Sequence, residues 1–132
     1  MSIGRITNPH LASREIDYSG VAIGDISPTD IDGWMEYHNK AHVLIELKFG
    51  NGEMKKGQRL GLERITRHLS PFPAILFVAV HHDDFPHLVE AGNAVVVEWC
   101  RNGTWGKPTE ELRLSEAVKR FIKAVDDGKY ST

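Results

Sequence analysis

Two carboxylates and a lysine stand at spacings that suit hydrolytic chemistry: Asp32, Glu46 and Lys48. Glu46 and Lys48 lie two apart in His42-Val43-Leu44-Ile45-Glu46-Leu47-Lys48-Phe49, so in a strand both point to one face and Leu47 to the other. A charge in a run otherwise fit for a core is costly without a partner, so this strand needs a reason to hold two. Asp32 opens the neighbouring run Gly33-Trp34-Met35-Glu36-Tyr37, and a tight turn at His38–Asn39 brings its carboxylate beside Glu46. Two carboxylates converging with a strand carbonyl, that of Leu47, form an all-oxygen site suited to Mg²⁺, with Mn²⁺ as substitute. A lysine beside such a cation can orient or help deprotonate a water and stabilise charge on a phosphate. The plainer alternative is an exposed strand whose polar face happens to show Glu and Lys.

The pattern Asp32…Glu46-Leu47-Lys48, flanked by hydrophobic strands, resembles the active-site signature of the PD-(D/E)XK nuclease superfamily, and Gly57-Gln58-Arg59 opening a helix adds to the likeness. The resemblance covers roughly residues 15–69. It implies a restriction-endonuclease-like core, with Asp32 and Glu46 as metal ligands, Lys48 serving the attacking water and Gln58 reaching the site. It implies DNA as partner and a role in repair, recombination or phage DNA processing, closer to small stand-alone nucleases and resolvases than to large restriction enzymes. Where the family often has Pro-Asp, this chain has Thr29-Asp30-Ile31-Asp32, so Asp30 is a second ligand or the true one. Some members add an acid from an N-terminal helix, for which Glu15 is the candidate.

The elements that must position these groups read as a mixed α/β sheet flanked by helices. Asn8-Pro9 starts a short helix, and Val21–Ile26 reads as a short strand closed by Ser27-Pro28-Thr29. Strands follow over 33–37 and 42–49, the second ended by Gly50-Asn51-Gly52. From about Met54 to Leu69 the period turns helical, with Gln58, Leu62, Ile65 and Leu69 on one face, until Ser70-Pro71-Phe72-Pro73 stops it. Ala74–Val80 is a continuous apolar run, as in a strand covered on both faces, and His81–Gly92 is an irregular connection. Ala94–Arg101 is a strand turning at Asn102-Gly103 into Thr104-Trp105-Gly106. A last helix has Ser115 as N-cap, Gly128 past its end, and Val118, Phe121, Ile122 and Val125 on its face.

Lys55, Lys56, Arg59, Arg64 and Arg67 against Glu63 make residues 54–68 net +4, a local field that suits a phosphodiester backbone, although a solvated helix face explains it equally. The whole chain carries −2, sixteen Lys and Arg against eighteen Asp and Glu, which excludes a histone-like coat. With 132 residues, 41% of them hydrophobic, one domain spanning 1–132 is expected. The single cysteine, Cys100, excludes an internal disulfide framework and reads as a small core residue. No apolar run approaches a membrane span and the first residues lack a signal-peptide core, so an intracellular, cytoplasmic protein is expected, in the host cytoplasm if phage-encoded. His81-His82-Asp83-Asp84 with His87 is the rival metal cluster, without a second histidine cluster to complete zinc geometry. There is no phosphate-loop or dinucleotide spacing. Trp34, Trp99 and Trp105 can stack bases, or fill a core. The expected activity is Mg²⁺-dependent hydrolysis of DNA phosphodiesters, structure-selective or non-specific, as a homodimer or with a protein partner; the rival is a non-catalytic α/β protein that binds a protein or nucleic acid.

Overall fold

A computed structural model of the chain describes residues 17–51, 53–83 and 88–130. The chain divides into two compact units, Met1–Asp30 and Ile31–Thr132. In the first, residues 19–21 form a single 3₁₀ turn, and Ile23 bridges Ile26 through paired backbone hydrogen bonds of 2.8 and 2.9 Å. The expected strand over 21–26 is therefore a tight turn: Gly24 at φ +61° reverses the chain before an extended run can form. The proposed helix at Asn8-Pro9, and Glu15, lie outside the described residues.

The second unit is a five-stranded mixed sheet in the order β1 (Gly33–Tyr37), β2 (Ala41–Phe49), β3 (Ala74–His81), β4 (Val95–Arg101), β5 (Thr104–Gly106). Only β2 and β3 run parallel, joined by helix α1 (Lys56–His68); α2 (Leu114–Asp126) follows β5. Both hairpin turns have two successive residues at positive φ, the mark of a type I′ turn: His38 and Asn39 at 46° and 59°, Asn102 and Gly103 at 44° and 91°. In the second, Asn102 also ties the core corner together. Its amide donates to the Thr66 and Phe72 carbonyls, and its side-chain oxygen accepts from the Ala74 N–H and the Tyr130 hydroxyl.

Alternation along the strands separates the two faces. Leu44, Leu76, Val78 and Cys100 pack with Leu62 of α1, whereas Val43, Ile75, Phe77, Ala79 and Val96 pack with Leu114, Ala117 and Phe121 of α2. The central strand is buried from Ala74 to Ala79, as its unbroken apolar run requires. Between Val78 and Ala79 the pairing with β4 slips by one residue, so Val97 is extra. That bulge puts Glu98 on the α1 face while Val96 stays on the α2 face. Helix α2 begins at Leu114, with Arg113 at its N-cap and no side-chain cap. Ser115 is not the cap because Leu114 is drawn into the core, 3% exposed, and the helix starts two residues earlier than a Ser115 cap would set it.

Candidate active site

The register of β1 against β2 ends with Gly33 opposite Ile45, and Asp32 is the residue just before β1. There its carboxylate accepts the Leu47 N–H at 2.7 Å and continues the ladder past the last strand residue. In an extended strand a residue's N–H and C=O point to the same edge, so the Leu47 carbonyl is turned toward the Asp32 side as well. Glu46 is paired across β2–β3 with Val78, which is paired with Glu98. Glu46, Val78 and Glu98 thus form one row across the α1 face, and Asp32 meets β2 at the neighbouring Leu47 N–H.

Glu46 is 3% exposed. Such burial of a carboxylate is tolerable only where hydrogen bonds and a counter-charge replace its water. The first turn of α1 supplies the first: Gln58 donates through Nε2 to Glu46 Oε2 at 2.9 Å. Its amide oxygen accepts from Lys48 Nζ at 3.3 Å, and that ammonium stands 3.8 Å from Glu46 Oε1. Gln58 is therefore the bridge that keeps acid and lysine together. A glutamine suits this place because one amide both donates and accepts.

Nothing caps α1 at its start: Lys55 offers no side-chain acceptor and no acid lies in the first turn. Unsatisfied N-terminal groups leave a helix end prone to fray. The residue after Gln58 holds it instead. Arg59 forms a bidentate pair with Glu98 at 2.5 and 2.6 Å, and its guanidinium lies 3.6 Å from the centre of the Trp105 ring. Trp105 in turn donates Nε1 to Glu63 at 2.8 Å, whose other oxygen accepts from Arg67. The Glu98 contact raises the Arg59 pKa further, so the guanidinium stays charged. Glu98 and Trp105 belong to the support of the site, and sequence reasoning did not assign them there. The signal was available in Glu98, a charge inside Val95-Val96-Val97-Glu98-Trp99, read by the same rule as Glu46.

The remaining expected site residues divide clearly. Asp30 and Asp32 both precede β1, which starts at Gly33, so neither lies on a strand face; Asp30 ends the other compact unit. Of the five basic residues of α1, Arg59 is paired with Glu98 and Arg67 with Glu63, so the field over 54–68 is weaker than its net +4 suggests. Lys55, Lys56 and Arg64 are exposed and form no ion pair with the described residues. His81 belongs to β3, with its ring edge-on to Phe49; His87 and Asp84 lie outside the described residues. Burial raises the Cys100 thiol pKa, and its sulfur sits 3.5 Å from the Thr66 hydroxyl in the core.

Among the described residues no three His, Cys, Asp or Glu side chains gather into a metal-holding group. Two carboxylates and a strand carbonyl are nevertheless the donor set that Mg²⁺ uses, since it keeps several waters and takes the rest of its shell from substrate phosphate. Asp32 and Glu46 fit that chemistry, and no thiolate or imidazole stands in the Glu46 row to favour a softer ion. No helix among the described residues is long and apolar enough to cross a membrane. No family model, no curated protein and no solved structure gives a significant match to the chain.

Proposed function

We propose that the chain is a metal-dependent nuclease that hydrolyses DNA phosphodiester bonds in a structure-selective or non-specific manner. The observation that supports this reading is buried Glu46 joined through Gln58 to Lys48, with the Asp32 carboxylate on the adjacent Leu47 N–H. Asp32, Glu46 and the Leu47 carbonyl would hold Mg²⁺ or Mn²⁺. Bound there, the ion would polarise the phosphate and lower the pKa of a coordinated water. Lys48 would orient the attacking water and offset charge on the phosphate. Gln58 fixes that ammonium and leaves it one direction in which to donate its remaining protons. Lys55, Lys56 and Arg64 give the approaching backbone a cationic border.

A competing reading, a non-catalytic α/β binding protein, draws on one observation: Glu46, Gln58 and Lys48 already satisfy one another. The discriminating experiment incubates the purified chain with supercoiled, linear, single-stranded and branched DNA in Mg²⁺, Mn²⁺ or EDTA. Cleavage of at least one substrate in either cation, stopped by EDTA, is expected. Intact DNA in every metal arm favours the binding protein.

A further inference from the structure

The three tryptophans have different fates. The Trp99 ring lies on Gly106, where an added Cβ would come within 2.2 Å of it. Trp105 is covered by the Arg59 guanidinium and spends its N–H on Glu63. Trp34 remains 62% exposed.

Its position is informative. Trp34 pairs with Leu44, so it shares the face that carries Glu46 and Lys48. It follows Asp32 by two residues, about 6–7 Å along an extended chain. Among the described residues helix α1 lies mainly over β3 and β4, away from β1. The indole is also held still. Its Nε1 donates to His42 Nδ1 at 3.2 Å, and the two rings lie 17° from parallel with centroids 6.0 Å apart. Glu36, the next residue of β1 on that face, turns its carboxylate to the Asn39 N–H at 2.6 Å. A rigid, exposed aromatic plane thus adjoins the acid row.

We propose that Trp34, propped by His42, is a stacking platform for one unpaired nucleobase of the strand whose phosphate meets Asp32, Glu46 and Lys48. Bases in continuous duplex already stack on one another and offer no free face, whereas an unpaired base gains a partner here. The site would then prefer single-stranded or locally opened DNA. This deepens the nuclease reading and takes from it the placement of the phosphate.

The test measures binding rather than cutting. In the full-length chain carrying Glu46→Gln, with Mg²⁺, fluorescence anisotropy follows a labelled oligothymidylate and a labelled duplex of equal length. Adding Trp34→Ala should weaken oligothymidylate binding about tenfold or more. Duplex binding should stay within twofold, and Trp34→Phe should retain most single-strand affinity. Tryptophan emission should be quenched by oligothymidylate in the Glu46→Gln protein and much less after Trp34→Ala. Circular dichroism confirms that each variant is folded; Trp34→Phe keeps the comparison available should Trp34→Ala unfold. The proposal is overturned if Trp34→Ala binds oligothymidylate within twofold of its parent, if both ligands weaken equally, or if the parent does not bind oligothymidylate. A change in sedimentation on Trp34→Ala without loss of oligonucleotide binding would make Trp34 a contact between copies of the chain, and would also overturn it. Failure of the nuclease reading looks different: the wild-type chain would cut no DNA while a Trp34-dependent single-strand preference persists.

Discussion

The two faces of the sheet are drawn from alternate residues of the same strands, yet they carry different loads. On the α2 side, Val43, Ile75, Phe77 and Val96 meet Ala117 and Phe121 in an apolar layer. On the α1 side an apolar patch of Leu44, Leu62, Leu76, Val78 and Cys100 borders Glu46, Glu98 and Lys48, which are held by Gln58 and Arg59. One side stabilises by removing apolar area from water. The other keeps buried charge, which mainly breaks even in stability. The comparison teaches that the polar face is the place where stability has been spent on placing groups.

The largest difference should appear in stability. Phe121→Ala removes a 6% exposed ring from the apolar layer and should cost about 3–5 kcal/mol by denaturant titration. On the other face, replacing acid and lysine together, Glu46→Gln with Lys48→Met, should cost far less because no lone buried charge is left, while cleavage is lost. A double variant as unstable as Phe121→Ala would mean that both faces serve the fold.

Next comes the aspartate pair. Asp32→Asn should abolish cleavage and weaken Mg²⁺ or Mn²⁺ binding measured by calorimetry, because it loses the carboxylate that meets β2 at Leu47. Asp30→Asn should keep measurable activity. The reverse result would contradict the choice of Asp32 as ligand and leave the nuclease proposal standing.

A smaller effect is expected from the support of α1. Glu98→Gln breaks the charge pair with Arg59 and should lower cleavage severalfold through a looser Gln58, with a modest loss of stability. Side-chain amide resonances of Gln58 should broaden or shift in that variant. Unchanged Gln58 resonances would confine Arg59 and Glu98 to the fold.

Much of this was legible beforehand, and the failures have physical causes. β1, β5 and the Asn102-Gly103 turn lie where periodicity and turn chemistry put them, and β2, α1 and β3 differ only at their ends. The register of the first hairpin was also readable, since a short polar turn between two alternating strands leaves few choices, and it brings Asp32 to the Leu47 N–H. Glu98 was not. The extra residue Val97 breaks the period-2 pattern, so Val96 and Glu98 face opposite sides although two apart. The closing of Arg59 onto Glu98 and Trp105 joins residues 39 and 46 positions apart, which spacing within one helix cannot reveal.

The smallest effects are titrations away from the candidate site. Burial pushes the Tyr130 hydroxyl up to about 12 while it donates to Asn102. An unfolded tyrosine ionises near 10, so this residue's contribution is complete below that pH and is lost as pH rises toward 12. Thermal melts between pH 9 and 12 should therefore fall more steeply for wild type than for Tyr130→Phe, and parallel slopes would remove the contribution. The Asp126 carboxylate, lowered first by the Tyr37 hydroxyl bond, gives the opposite sign: its contribution is present near neutrality and fades as pH falls through the carboxylate range.

The central claim, that the polar face performs metal-dependent hydrolysis, is tested most directly by single-turnover cleavage of DNA by wild-type and Lys48→Ala protein in Mg²⁺, with EDTA as control. The account predicts cutting by wild type that EDTA abolishes, and a folded Lys48→Ala protein slower on the order of 10²-fold. Wild-type cutting that persists in EDTA, or a folded Lys48→Ala protein that cuts at the wild-type rate, would contradict it.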